Sequence, residues 1–236
     1  MKTVLHKSNT RGHANHGWLD AHHSFSFGGY HDPERIHFGA LRVLNDDIVA
    51  GGMGFGFHPH DNMEIITIPL AGQLEHKDSM GNTGVISNGE VQVMSAGTGI
   101  QHSEKNKNPD KPINLLQIWV FPDTKNVEPR YDQRAFDLAA AKNSLLNIVS
   151  PMDSEEGLHI HQHAWFHLGK LDKDFSLEYD LKDKQNGVYA FVIDGEVTIN
   201  GEKLNKKDGL GISDADNLDI KADSDAELLL MEVPMF

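Results

Sequence analysis

The 236-residue chain contains no cysteine. That absence excludes a disulfide framework, a thiol nucleophile, a thiolate zinc site and an iron–sulfur cluster, so any metal must be held by nitrogen and oxygen donors. Basic residues are scarce as well, with 21 Lys and Arg against 35 Asp and Glu and a formal net charge of -14. Direct binding to nucleic acid is not expected, because such binding draws its affinity from clusters of Lys and Arg. Long apolar runs are also missing. Nothing approaches the roughly 18 residues of a membrane helix, and the opening Met1-Lys2-Thr3-Val4-Leu5-His6-Lys7 lacks a signal-peptide core, so a cytoplasmic, membrane-free protein is expected. What the chain has in surplus is histidine, fifteen residues in all. Acid is concentrated at residues 171–236, which reads as a solvated acidic surface.

Short apolar runs broken by Gly, Asn and Asp recur along the chain, and the helical period is rare. Residues 36–44, 64–70, 91–94, 115–121, 176–181, 188–193, 196–199 and 227–233 read as strands rich in Ile, Val, Leu and Phe. Gly51-Gly52, Ala71-Gly72, Asn88-Gly89, Asp194-Gly195 and Asn200-Gly201 mark turns, several at hairpin spacing. The one helical candidate is residues 136–146, where Ala139, Ala140 and Ala141 favour helix. It follows a polar stretch containing Pro122 and Pro129, where the domain boundary is placed. Two β-rich halves are expected: an N-terminal barrel over 1–130, a connecting segment over 131–144 and a C-terminal barrel over 145–236. The strand, Gly turn and returning strand at 64–75 echo those at 188–201, which hints at an internal duplication.

The chemistry concentrates in Gly52-Met53-Gly54-Phe55-Gly56-Phe57-His58-Pro59-His60-Asp61-Asn62-Met63-Glu64. Strand side chains alternate faces, so His58 and His60 can both point into a barrel. His102 and Glu104, in Gly97-Thr98-Gly99-Ile100-Gln101-His102-Ser103-Glu104, have the same spacing. Two such pairs on neighbouring strands would bring three imidazoles and a carboxylate to one point. That donor set suits iron, manganese, nickel, cobalt or copper and leaves positions open for substrate or dioxygen. The glycines would let the backbone turn near the site and keep its mouth free of bulk.

These residues carry a family resemblance. Gly52-x5-His58-x-His60-x3-Glu64-x7-Gly72 resembles the first cupin signature, with one extra residue before the last glycine, and Gly89 to His102 resembles the second. His58-Pro59-His60, the run Leu74-Glu75-His76-Lys77-Asp78-Ser79-Met80-Gly81-Asn82, and Met94 to Glu104 resemble the pirin family, especially bacterial members with quercetin dioxygenase activity. His16-Gly17-Trp18-Leu19 and His22-His23-Ser24-Phe25-Ser26-Phe27 fit the same subgroup. The resemblance is close over the first half and general over the second.

It implies an all-β bicupin: two jelly-roll β-barrels with few short helices, the metal in the first and the second degenerate. The implied ligands are His58, His60, His102 and Glu104. The general cupin pattern nominates Glu64 as the carboxylate ligand instead; the pirin-like pattern is followed here, and Glu64 is read as a supporting or strand-exposed acid. The implied cofactor is one divalent metal, iron(II) first, with copper, nickel, cobalt, manganese or zinc as alternatives. The implied activity is oxidative ring opening of a flavonol with release of carbon monoxide, with Glu104 as catalytic base and the flavonol and dioxygen as the partners of a monomer.

A different class of function is a metal-binding regulatory protein with a protein partner and little turnover. Oxidation of a small acid or sugar would need cations near the metal, and only Arg35, Arg42 and Lys77 lie near the motifs. His159, His161 and His163, with His167 beyond, form a rival constellation. No later histidine could complete it, so it is read as surface or hydrogen-bonded. Of His13, His16, His22, His23, His31 and His37, most are read as structural, with one or two at the site entrance. Phe25, Phe27, Phe38, Phe55, Phe57, Met63 and Trp119 are the pool for an apolar channel.

Overall fold

In the computed structural model, which describes residues 1–139 and 141–236, the short β-branched runs pair into four sheets. Among the described residues the pairing is antiparallel apart from one short parallel strand pair and one isolated parallel bridge. A seven-stranded sheet of the first half runs, in spatial order, β12 (Arg130–Ala135), β9 (Glu90–Ser95), β6 (Glu64–Ala71), β11 (Ile113–Val120), β4 (Leu41–Val49), β3 (Leu19–His23) and β2 (Gly12–Asn15). A four-stranded sheet faces it, in the order β5 (Gly54–His60), β10 (Ile100–Asn106), β7 (Gln73–Asp78) and β8 (Thr83–Ser87).

The second half repeats this order. Its larger sheet runs β1 (Lys2–His6), β20 (Gly209–Ser213), β17 (Asn186–Asp194), β22 (Ala226–Pro234), β15 (Trp165–Leu171), β13 (Leu145–Pro151) and β14 (Leu158–Ile160). The smaller runs β16 (Ser176–Asp180), β21 (Asn217–Ala222), β18 (Glu196–Ile199) and β19 (Glu202–Asn205). The echo between 64–75 and 188–201 is therefore a repeat of place: β6 with β7, and β17 with β18, occupy matching positions. No helix is long and apolar enough to cross a membrane, among the described residues.

The two large sheets pack back to back. Leu41, Leu44, Ile66, Ile68 and Leu116 of the first meet Phe166, Tyr189, Phe191, Leu229 and Met231 of the second in one buried cluster. An ion pair crosses the same seam, where Asp46 takes Lys207 Nζ at 3.1 Å beside its pair with Arg11 at 3.2 Å. The second barrel is filled by a continuous apolar cluster that includes Val188, Ala190, Leu218, Ile220 and Leu230. The first holds two separate apolar patches, one around Leu74, Ile86 and Leu115 and the other around Ile65, Met94 and Ile100. Polar side chains occupy the space between them.

Several expectations need correction. The segment at 136–146 is not a helix, although Ala140 lies outside the described residues. Ala141 and Lys142 donate to Leu138 and Ala139 in two overlapping turns. Lys142 then bridges to Lys170, and Asn143 leaves helical space at φ 51°, before a helix nucleus can repay its cost. Helical structure among the described residues is one 3-10 turn at Ser8–Thr10. The strand read at 36–44 begins at Leu41 and runs on to Val49, because Asn45, Asp46 and Asp47 are buried polar members of the strand and not a turn. Two strands also pair across the expected domain boundaries. β1 joins the second half, with Leu5 opposite Leu210, and His6 Nδ1 meets Tyr189 Oη at 2.9 Å. β12, expected in the connecting segment, joins β9 of the first half. Each barrel thus receives an edge strand at the same place from a different part of the chain.

Candidate metal centre

Antiparallel pairing sets His58 of β5 directly opposite His102 of β10. The register shifts between His102 and Glu104, and the resulting bulge in β5 re-aims that strand at the site. Gly54 permits the close approach, since a Cβ there would collide with the Glu104 carbonyl. On the far side of the loop, Gly97 adopts φ 48° against Val127. His58, His60 and His102 come together so that one ring nitrogen of each lies within 4.8 Å of the others. Their ring centroids are 4.4–4.9 Å apart.

His58 Nδ1–H donates to the Gly56 carbonyl at 2.8 Å, which fixes its tautomer and leaves Nε2 free. Both ring nitrogens of His102 are buried without a partner. Burial, then His58, His60 and His76, push the His102 imidazole down to about 2, and burial and His58 push His60 down to about 4. Neutral imidazoles with free lone pairs are the form a metal takes, and an orphaned nitrogen pair at the centre is costly without one. The residues present therefore fit a divalent metal.

Glu104 is placed on the same face of β10 as His102, but it stands outside the trio. Its carboxylate, 3% exposed, accepts Gln117 Nε2 at 3.1 and 2.9 Å, while the Thr67 hydroxyl donates to Gln117 Oε1 at 3.0 Å. Burial raises the Glu104 pKa against the lowering effect of Gln117. Glu64 points the other way. Ile65 and Thr67 face the barrel interior, so Glu64 turns to the seam between barrels, where it accepts Ser95 Oγ at 2.7 Å and burial pushes it up to about 7. It is neither beside the histidines nor exposed.

Sequence reading gave no role to Gln117, Thr67, His76 or Asp47. His76 packs at 5.3 Å from the His102 ring and stacks on Tyr131 at 4.6 Å. Asp47 is buried inside the same barrel, pushed up to about 8 by desolvation, Asp46 and Glu104. The available signal was a polar residue at an inward strand position, visible only once the strand's face is known.

His58 and His60 open onto a cleft of about 730 Å³ walled by Pro59, Met63, Ile100 and Trp119. Trp119 stands edge-on to His60 at 4.9 Å, and its indole N–H is buried without a partner. Of the expected channel residues only Met63 and Trp119 line the cleft. Phe25 and Phe38 lie in the seam, Phe27 backs Trp119, Phe55 packs on Trp18, and Phe57 is exposed. None of the six N-terminal histidines lines it, and neither does Arg35, Arg42 or Lys77. A more enclosed cavity of about 170 Å³ at the seam has no histidine in its walls. His159, His161 and His163 join no three-ligand group among the described residues; His163 pairs with Asp183 at 3.7 Å, and His167 is buried against Tyr179.

Residues 4–120 match the family model described as Pirin, and residues 147–233 match the one described as Quercetinase C-terminal cupin domain. The chain is 46% identical over 230 residues to the quercetin 2,3-dioxygenase of Escherichia coli (strain K12), covering 98% of both sequences. It is 39% identical to a pirin-like protein of Caulobacter vibrioides, over 94% of this chain and 95% of that one. Its backbone matches the crystal structure of the bacterial pirin YhhW from Escherichia coli in complex with nickel(II) at a TM-score of 0.94, with 44% identity and full coverage of both chains.

Proposed function

The chain belongs to the pirin family of cupin proteins, and from that membership we propose a metal-dependent dioxygenase that opens the ring of a flavonol such as quercetin and releases carbon monoxide. The observation that carries this reading is the trio of His58, His60 and His102 at the foot of an open cleft, with both His102 nitrogens lacking any partner. His58, His60 and His102 would hold the metal, with Glu104 as the fourth donor. A divalent metal bound there supplies Lewis acidity toward a phenolic oxygen and a centre at which dioxygen and substrate meet.

The chain's own groups do the rest. Pro59, Met63, Ile100 and Trp119 offer an apolar wall for a flat aromatic ligand. The lining carries no Lys or Arg, which favours a neutral ring system over an anionic acid or a sugar phosphate. Glu104, destabilised as a carboxylate by burial, is set to take up the flavonol 3-hydroxyl proton. Gln117 holds that carboxylate in place with Thr67 behind it. In the overall reaction both atoms of dioxygen enter the phenolic ester product, and one ring carbon leaves as carbon monoxide.

The test is to load metal-free protein separately with iron, copper, nickel, cobalt, manganese and zinc, and then follow oxygen uptake and carbon monoxide release with quercetin. Turnover with at least one metal is expected. Stoichiometric metal binding without turnover on any of them would move the protein to the regulatory class.

A further inference from the structure

The hairpin of β2 and β3 carries a second convergence of metal-type donors, on the side of the sheet away from the barrel interior. Leu19 and Ala21 are buried in the apolar patch inside the first barrel, so Asp20 and His22 project from the opposite face of β3. His13 lies on β2 directly across from His22, and their rings stack at 4.5 Å and 20°. One ligand atom from each of His13, Asp20 and His22 lies within 4.8 Å of the other two. His13 Nε2 and Asp20 Oδ1 sit 2.6 Å apart in a hydrogen bond, where a cation would bridge the same two atoms.

Hydrogen bonds of the turn order the hairpin. His16 N–H donates to Leu19 O at 2.9 Å, and Gly17 N–H donates to Asn15 Oδ1 at 2.8 Å across a turn with Gly17 at φ 82°. The nearby guanidinium of Arg11 is engaged by Asp46, which leaves the Asp20 carboxylate to His13. β2 is an edge strand paired on one side only, so a cation held by both strands would clip it to the sheet.

We propose that His13, Asp20 and His22 form a second divalent-cation site, two imidazoles and one carboxylate with open positions toward solvent, whose occupation clips β2 to β3. This donor set takes a borderline ion such as zinc, nickel or copper, and an ion bound there replaces the hydrogen bond between His13 and Asp20. An ion that binds the folded chain and not the unfolded one raises the melting temperature.

The experiment uses untagged, full-length, metal-free protein and zinc chloride, followed by calorimetric titration and thermal melting. Wild type is expected to bind two equivalents, with a melting temperature that rises by several degrees as the second site fills. His13→Gln/His22→Gln is expected to bind one equivalent, lose that second rise and keep the flavonol turnover of the wild type. Asp20→Asn, a milder change, is expected to weaken the second equivalent alone. His58→Leu/His102→Leu is expected to retain one equivalent and the hairpin's contribution to melting. No equivalent in His58→Leu/His102→Leu, or unchanged binding in His13→Gln/His22→Gln, would overturn the proposal.

Discussion

The two barrels share one strand order and differ in what fills them. The hairpin glycines Gly72 and Gly195 give a common origin for the comparison, since each follows the last residue of the corresponding strand, β6 or β17. From there the pairings set Leu218 where the first barrel has His102, Ile220 where it has Glu104, and Ile199 where it has His76. Tyr179 takes the place of His58. On the larger sheet, Leu230 and Ala190 stand where Gln117 and Thr67 stand. Of these positions only Tyr179 keeps a polar group, while Trp119 has the buried carboxylate of Glu232 as its counterpart and His167 packs against Tyr179.

The difference teaches what the centre costs. The second barrel's interior closes into one apolar cluster with an unpaired His167 nitrogen beside it, while the first is split in two by side chains that bury more unpaired polar atoms, among them both nitrogens of His102, one of His76 and an oxygen of Asp47. A buried polar atom without a partner costs roughly 1–3 kcal/mol. A bound metal recovers part of that cost, so the first barrel should depend on its ligand for stability and the second should not.

The sharpest way to break the comparison is to write the second barrel into the first. His102→Leu/Glu104→Ile/Gln117→Leu should bind no metal in the barrel and lose flavonol turnover entirely. Its metal-free form should melt at or above the wild-type temperature, a gain of up to roughly 3 kcal/mol from removing the orphaned nitrogens. Metal analysis and differential scanning calorimetry check both halves of that statement. A smaller effect is expected from the second barrel's own buried carboxylate. Glu232 accepts Tyr179 Oη at 2.7 Å, the Lys182 and Asp183 backbone N–H groups at 2.9 and 2.8 Å, and Asn186 Nδ2 at 3.0 Å. Glu232→Gln should lower stability by roughly 3 kcal/mol in urea unfolding, while turnover per folded molecule stays unchanged.

Gln117→Leu alone is expected to do less. Losing the amide that orients Glu104 should lower metal affinity and turnover roughly ten- to a hundredfold with little change in melting, as read by competition with a chelator and by steady-state kinetics. Smaller again is a pH effect at the seam. Glu64 holds its proton up to about pH 7 in the folded chain against 4.5 ordinarily, so the folded state binds the extra proton in that window. Stability from this group therefore falls as pH rises from 4.5 to 7, by at most about 1.4 kcal/mol per pH unit. The corresponding position of the second barrel is Gly187, opposite Val233 as Glu64 is opposite Val120. Glu64→Gln should remove that slope, measurable as unfolding free energy at pH 5 and pH 8.

Legibility followed locality. His58, His60 and His102 could be found because strand alternation and glycine-marked turns act over a few residues, and the same local signals gave the strands at 64–70, 91–94 and 196–199. Pairing between distant segments was out of reach. Lys2–His6 completes a sheet some two hundred residues away, and nothing in its own five residues names Gly209–Ser213 as partner. The polar lining was hidden for a related reason. Asn45, Asp46 and Asp47 look like a turn until Gln117 and Leu115 are placed opposite them, and Gln117 looks like a solvent-facing residue until Glu104 is placed beneath it. Glu64 shows the same limit: the facing of a side chain depends on which neighbours β6 packs against.

The most direct test of the central claim is carbon monoxide release per dioxygen consumed with quercetin, for wild-type protein loaded with the metal that best supports its turnover and for the triple variant His102→Leu/Glu104→Ile/Gln117→Leu exposed to the same metal. The account predicts about one carbon monoxide per dioxygen in wild type and none in a folded variant. Oxygen uptake without carbon monoxide in wild type, or carbon monoxide from the variant, would contradict it.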